Sequence, residues 1–149
     1  MADAHTTFKQ MLKNSGYSLT GARTAVFEAL LGQEPMSMHE LVARVKGVDR
    51  ASVYRAIELF ETLGIAQRLN TGWKYKLELT DKFAAHHHHL TCTNCGKTVA
   101  LSEAELERFI EQIARSHGFR PMSHQIELQG LCAACAARQP ETDTARKPQ

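Results

Sequence analysis

Apolar residues recur at helical spacing in three segments of the first half of the chain. These segments cover residues 20–32, 37–47 and 49–64 and read TGARTAVFEALLG, SMHELVARVKG and DRASVYRAIELFETLG. Each begins with a residue that caps helices well and ends in glycine, and Ser37 and Glu40 have the spacing of a capping box. The pattern therefore predicts three helices, preceded by a short amphipathic segment over residues 5–14.

The segment after the third helix changes to a strand pattern. Residues 65–79, IAQRLNTGWKYKLEL, alternate around the turn sequence NTG and predict a β-hairpin. Three helices followed by a hairpin are typical of a winged helix-turn-helix. The pattern alone leaves this fold open.

The second half of the chain predicts a smaller mixed unit. Residues 98–101 (TVAL) predict a strand, residues 102–117 a helix and residues 123–132 (SHQIELQGLC) a second strand. Residues 136–149 are polar and contain proline, which predicts a disordered tail.

Composition and charge limit the class of protein. The chain has 149 residues, 43% of them hydrophobic, and a net charge of +2, so nucleic-acid binding requires a local basic patch. The first ten residues, MADAHTTFKQ, do not resemble a signal peptide, and the sequence has no apolar run that would span a bilayer. We expect a cytoplasmic protein without a membrane partner, in which thiols stay reduced.

Two CxxC pairs occur in the second half. They are formed by Cys92 with Cys95 and by Cys132 with Cys135. A single CxxC pair is also compatible with a redox motif or with chance, but two pairs in one small domain predict a tetrahedral zinc site of four thiolates. All four positions would be filled by protein, so we expect this zinc to be structural and to contribute to folding.

Four consecutive histidines precede the first CxxC pair. Side chains alternate along a strand, so His86 and His88 would share one face, and His87 and His89 the other. Together with Glu107 on the predicted helix and His124 on the second predicted strand, His86 and His88 form a reasonable nitrogen–oxygen shell for Zn(II) or Fe(II). The alternative interpretations are a solvated histidine run, the remnant of an expression tag, and helix glutamates that are simply solvated.

At this point the chain resembles the ferric uptake regulator (Fur) family of metal-responsive bacterial repressors. The resemblance rests on ASVYRAIELFETLGI, HHHHLTCTNCGK, the HGF sequence at residues 117–119 and the closing CxxC, in the family's order. It implies an α+β protein with an N-terminal winged helix-turn-helix (residues 1–80) and a small α/β dimerisation domain with the four-cysteine zinc site (residues 86–135). It also implies a homodimer that binds a palindromic double-stranded DNA operator and represses metal-homeostasis genes.

The resemblance extends to the regulatory metal sites. His86, His88, Glu107 and His124 match the family's site in the dimerisation domain, and histidine at the position of His88 is found in zinc-responsive, Zur-like members. This favours zinc over iron(II) as the regulatory metal.

The family's interdomain site is only partly matched. His87 and His89 match two of its ligands, and Glu78 is a candidate third. Pro35 stands where the family often has a histidine, and Ala100 where an acidic ligand can occur, which weakens the alternative of a peroxide-responsive regulator. Metal bound here would fix the angle between the domains and so favour the DNA-binding conformation.

Helix 49–64 carries the candidate DNA contacts. Its outward residues are Arg50, Ala51, Ser52, Tyr54 and Arg55. Tyr54 and Arg55 match the family's base-reading pair, and Arg23 is a candidate phosphate contact.

Two further classes compete with this interpretation. A metalloenzyme is disfavoured because the sequence has no HExxH motif, nucleophile motif or glycine-rich phosphate loop. We therefore expect that this protein is not an enzyme. A zinc carrier that does not bind DNA would not need the exposed Tyr54 and Arg55.

Overall fold

The computed structural model describes residues 3–70, 74–102, 104–122 and 124–138. Thr71 and Gly72 of the predicted NTG turn and the tail beyond Arg138 lie outside these residues. The chain forms two compact units, Met1–His86 and His87–Gln149, and each is described by itself. Among the described residues, no helix is both long and apolar enough to cross a bilayer.

The described residues of the first unit form four helices and a two-stranded sheet. The helices are α1 (Ala4–Asn14), α2 (Gly21–Leu30), α3 (Met38–Arg44) and α4 (Arg50–Thr62), and the strands are β1 (Ala66–Asn70) and β2 (Tyr75–Leu79). The two strands are antiparallel, as the alternating pattern predicts. The three predicted helices are present, and each ends a few residues before its glycine, because the glycine takes a positive φ that stops the helix.

The predicted helix starts have the expected caps. The Oγ of Ser37 accepts from the backbone N–H of Glu40 at 3.3 Å, and the carboxylate of Glu40 accepts from the backbone N–H of Ser37 at 2.6 Å. Asp49 accepts from the backbone N–H of Ser52 at 2.9 Å and so fixes the first turn of α4.

Three phenylalanines form the centre of the first unit. Phe8, Phe27 and Phe60 are at most 1% exposed. The rings of Phe8 and Phe27 stack with centroids 4.1 Å apart, and Phe60 packs edge-on to Phe8 at 5.3 Å. Phe60, Val53 and Ile57 thus hold one face of α4 in the core and leave the opposite face in solvent.

The part of the second unit that the structure describes is a three-stranded mixed sheet with two helices. Its elements are β3 (His88–Cys92), β4 (Thr98–Leu101), α5 (Ala104–Ser116), β5 (Glu127–Gly130) and α6 (Ala133–Ala136). The strand order is β4–β3–β5, with β3 antiparallel to β4 and parallel to β5. The described side chains of α5 are not buried in this chain.

Candidate functional site

The four cysteines come together at one end of the mixed sheet. Strand β3 ends at Cys92, and a tight turn closes with the N–H of Gly96 donating to the carbonyl of Cys92 at 2.9 Å. Parallel pairing places Gly130 of β5 opposite Cys92, so the second CxxC pair emerges beside the first. The four Sγ atoms lie within 4.8 Å of one another, and all four thiols are free.

The dimensions of this cluster fit a zinc ion. The Sγ atoms of Cys95 and Cys132 are 3.8 Å apart. Four sulfurs at about 2.3 Å from a tetrahedral zinc ion are separated by roughly 3.8 Å, so this edge of the tetrahedron already has its metal-bound length.

The ionisation of the thiols also fits a cation. The backbone N–H of Cys132 donates to the Sγ of Cys92 at 3.3 Å and, with the N–H of Cys95, lowers the pKa of Cys92 to about 6. The side chain of Asn94 lowers the pKa of Cys135, but hydrogen bonds with the neighbouring thiols and burial outweigh it and raise that pKa to about 11. Cys92 therefore ionises more readily than an ordinary thiol, and Cys135 less readily. A divalent cation bound among the sulfurs would favour the thiolate form of both.

A second cluster combines histidine and glutamate within the second unit. The Nε2 of His88 on β3 lies 2.8 Å from one carboxylate oxygen of Glu107 on α5, and the Nε2 of His124 lies 3.0 Å from the other. A divalent ion bound at about 2.1 Å keeps its ligand atoms roughly 3 to 3.5 Å apart, so the three side chains need little movement to bind one. The nitrogen–oxygen donor set suits Zn(II) or Fe(II).

This second cluster is open to solvent on one side. His88 is 1% exposed, whereas the side chains of Glu107 and His124 are 39% and 26% exposed. Glu107 and His124 line a cavity of about 290 Å³ together with Glu111 and Met122. An ion can therefore reach this cluster through the cavity.

The remaining predicted metal ligands divide between the two units. His86, the last residue of the first unit, has its Nδ1 in contact with the carboxylate of Asp81. Glu78 is buried on β2 and accepts from the Nε2 of Gln67 at 2.7 Å. In the second unit, the rings of His87 and His89 lie 4.7 Å apart, so they share the face opposite His88, as strand alternation predicts.

The exposed face of α4 holds five of the six predicted DNA contacts. Arg50, Ala51, Tyr54 and Arg55 are exposed and Ser52 is partly exposed. Arg50 Nη2 donates to Tyr54 Oη at 3.1 Å, and Arg55 Nη2 donates to Ser52 Oγ at 3.1 Å. Arg23 lies on α2, with its guanidinium 5.5 Å from the ring centre of Tyr17.

Comparison with known proteins decides the family. The sequence model of the ferric uptake regulator family matches residues 14–129. The chain belongs to this family. A ferric uptake regulation protein of Klebsiella pneumoniae is 35% identical to this Fur-family chain over 144 residues, covering 91% of this chain and 90% of the relative.

Solved Fur structures share the fold. The Vibrio cholerae ferric uptake regulator has 30% identity and a TM-score of 0.68, covering 83% of this chain and 98% of its own. The Pseudomonas aeruginosa regulator, solved with manganese, has 26% identity and a TM-score of 0.71, covering 84% and 97%. The predicted family is confirmed, and so is the α+β class with an N-terminal winged helix and a C-terminal unit that contains a four-cysteine cluster. The Fur family consists of transcription regulators.

Two contacts at the clusters were not predicted from the sequence. Asp81 bonds to the ring of His86, and Asn94 lies against Cys135. Asn94 lies inside the first CxxC pair, so its closeness to the cysteines could have been expected from the sequence. No comparable signal points to Asp81, which lies in an irregular segment.

Proposed function

We propose that this chain is a metal-dependent, DNA-binding transcriptional repressor of metal-homeostasis genes that acts in the cytoplasm. The observation that carries the proposal is the cluster of His88, Glu107 and His124, which opens to a cavity in a chain of the Fur family. Such a cluster can exchange an ion with its surroundings, which a sensor of ion supply requires.

The proposed ligand sets follow from the donor atoms that each cluster offers, which are sulfur in one and nitrogen and oxygen in the other. Cys92, Cys95, Cys132 and Cys135 would hold a structural zinc ion, supported by the 3.8 Å sulfur spacing. His86 would join His88, Glu107 and His124 as the regulatory site, with Asp81 orienting its ring through Nδ1. Glu78, His87 and His89 are proposed as partial ligands of a further site. Zinc is the favoured regulatory metal and iron(II) the alternative.

The proposed domains are residues 1–80 for DNA binding and residues 86–135 for metal binding and dimerisation, with a tail at 136–149. A homodimer is supported by a row of apolar side chains across the mixed sheet. Leu90 lies opposite both Val99 and Leu128, and the three are 41%, 44% and 48% exposed. A surface of this kind favours burial against a second apolar surface.

The proposed DNA contacts lie on the first unit. The residues are Arg23, Arg50, Ala51, Ser52, Tyr54 and Arg55. Support comes from the exposed face of α4 and from the Vibrio cholerae relative, which is described as having DNA-binding domains. Two copies of α4 in a dimer would read a palindromic operator.

The test is metal-dependent DNA binding by the full chain. A probe selected from random duplexes by zinc-loaded protein is titrated by fluorescence anisotropy with zinc, iron(II) and manganese(II) buffered at free cellular levels. Binding that needs zinc is expected. Binding that is the same without metal at every salt concentration would sink the proposal, and tight binding with iron(II) alone would overturn the zinc assignment.

A matched pair of variants links this test to the cluster. Glu107→Gln removes the carboxylate charge between His88 and His124 and should raise the metal concentration needed for DNA binding by at least about tenfold. Glu105→Gln on the same helix is the control, because the side chain of Glu105 is 92% exposed and pairs only loosely with Arg108, at 3.8 Å. Equal metal requirements for the two variants would remove Glu107 from the regulatory site.

A further inference from the structure

The first turns of α4 present a pre-formed pair of side chains to solvent. Arg50 is the first residue of α4, and Tyr54 follows one turn later on the same face. Val53 and Ile57 are buried on the opposite face. The N-terminal residues of a recognition helix are those that reach base edges in the major groove.

Two contacts hold this pair together. Arg50 Nη2 donates to Tyr54 Oη at 3.1 Å, and Arg50 Cζ lies 5.4 Å from the centre of the Tyr54 ring. Only one of the five N–H donors of the guanidinium is used by the hydroxyl, so two parallel donors remain for a partner. The contact also restricts a long side chain that would otherwise lose its rotamer freedom on binding.

Arg55 differs from Arg50 in its charge environment. Its guanidinium donates to Ser52 Oγ, and Ser52 in turn donates to the carboxylate of Asp49 at 2.6 Å. Among the described residues neither arginine forms a direct ion pair with a carboxylate. However, hydrogen bonds from Ser52 and also the charge of Arg55 lower the pKa of Asp49, whereas the interactions that raise the pKa of Arg50 come from Tyr54. The charge of Arg50 is therefore the less compensated of the two.

We propose that Arg50 determines sequence specificity by reading one guanine in each operator half-site, and that Tyr54 is its positioning residue. This inference rests on the proposed function. Two parallel N–H donors match the O6 and N7 acceptors of guanine in the major groove, which is the commonest specific arginine contact with DNA. The hydroxyl of Tyr54 holds the guanidinium fork in place before DNA arrives.

The experiment compares full-length, zinc-loaded proteins by selection from a random duplex library. The wild type should select a motif with a guanine that Arg50→Ala no longer selects. In anisotropy titrations, replacing that guanine in the selected probe should weaken the wild type about 10- to 100-fold and Arg50→Ala by less than about threefold. Arg50→Lys keeps the charge but not the planar fork, so it should discriminate less well than the wild type.

Tyr54→Phe tests the positioning role, because it removes the hydroxyl and keeps the ring. It should reduce discrimination at the same base pair by a few-fold, and adding it to Arg50→Ala should cause no further loss there. A 7-deazaguanine in the probe, which lacks the N7 acceptor, should weaken the wild type but not Arg50→Ala. Arg115→Ala, on α5 and paired with Glu111, is the control and should behave like the wild type.

The outcomes separate this inference from the proposed function. A wild type that selects no sequence with any metal overturns the proposed function and the inference with it. A wild type that selects a motif which Arg50→Ala keeps unchanged overturns the inference alone. The inference is also overturned if Arg50→Ala weakens binding to all sequences by the same factor and lowers the slope of log K against log salt by about one. That result would describe a phosphate contact.

Discussion

Replacing Cys95 by serine should unfold the second unit and leave the first intact. Cys95 is exposed, so the substitution removes a metal ligand without opening a cavity in a core. In the described part of the second unit, the buried side chains are His88, His89, Thr91, Cys92 and Cys135. No large aliphatic or aromatic side chain is buried there, so the unit lacks the roughly 1.5–3 kcal/mol that each such side chain contributes.

The size of the effect follows from this shortage of apolar burial. Ordering each residue costs about 1–2 kcal/mol of backbone entropy, and the few buried side chains of this unit do not offset that cost summed over all its residues. Structural zinc contributes about 10–16 kcal/mol in small domains, so one of four thiolates accounts for roughly 2.5–4 kcal/mol. Cys95→Ser should therefore weaken zinc binding about 10²- to 10³-fold.

The assay combines zinc content with limited proteolysis. After dialysis against a chelator, Cys95→Ser should lose its zinc, and protease should digest the chain beyond His86 while a fragment of the first unit survives. Thr93→Ser, in the same turn, is the control and should retain both zinc and protection. If Cys95→Ser keeps one tightly bound zinc and the wild-type digestion pattern, zinc does not hold the second unit together.

Two further changes test the first unit. Phe27→Ala removes the ring that stacks on Phe8 and should lower the free energy of unfolding by about 3–5 kcal/mol in urea titrations, and a loss below about 1 kcal/mol would contradict the packing. Hydrogen bonds from the side chain and then the backbone of Ser37 lower the pKa of Glu40 in the folded state, so its stabilisation is present above pH 4.5 and is lost as pH falls through the lowered pKa. Glu40→Gln should therefore melt slightly earlier at pH 7 and show a flatter acid limb below pH 4.5, and identical acid limbs would refute this.

The sequence predicted local features well because each depends on near neighbours. The capping box of Ser37 and Glu40 and the CxxC knuckles are recognisable from spacing alone. The helices stop shortly before Gly32, Gly47 and Gly64, because glycine readily takes the positive φ that ends a helix. The alternation of His87, His88 and His89 follows from strand geometry in the same way.

Features set by pairing between distant segments were not predictable. The second strand was predicted over residues 123–132, but β5 covers only Glu127–Gly130. The register places Glu127 opposite His89, and β3 begins one residue earlier, so β5 has almost no partner before Glu127. His124 therefore lies outside the strand, and its approach to Glu107 depends on the loop after α5, for which the sequence offers no periodic signal.

The two candidate metal clusters differ in burial and in access to solvent. In the thiol cluster, Cys92 and Cys135 are buried and all four positions of a tetrahedron are supplied by protein, so an ion there leaves only when the unit opens. In the second cluster, Glu107 and His124 line a cavity of about 290 Å³, so an ion can leave without unfolding the sheet. A regulatory ion has to dissociate when the metal supply falls. A structural ion has to stay bound under the same conditions, because the fold depends on it. Of these two clusters, the one around Glu107 fits the first requirement and the thiol cluster fits the second.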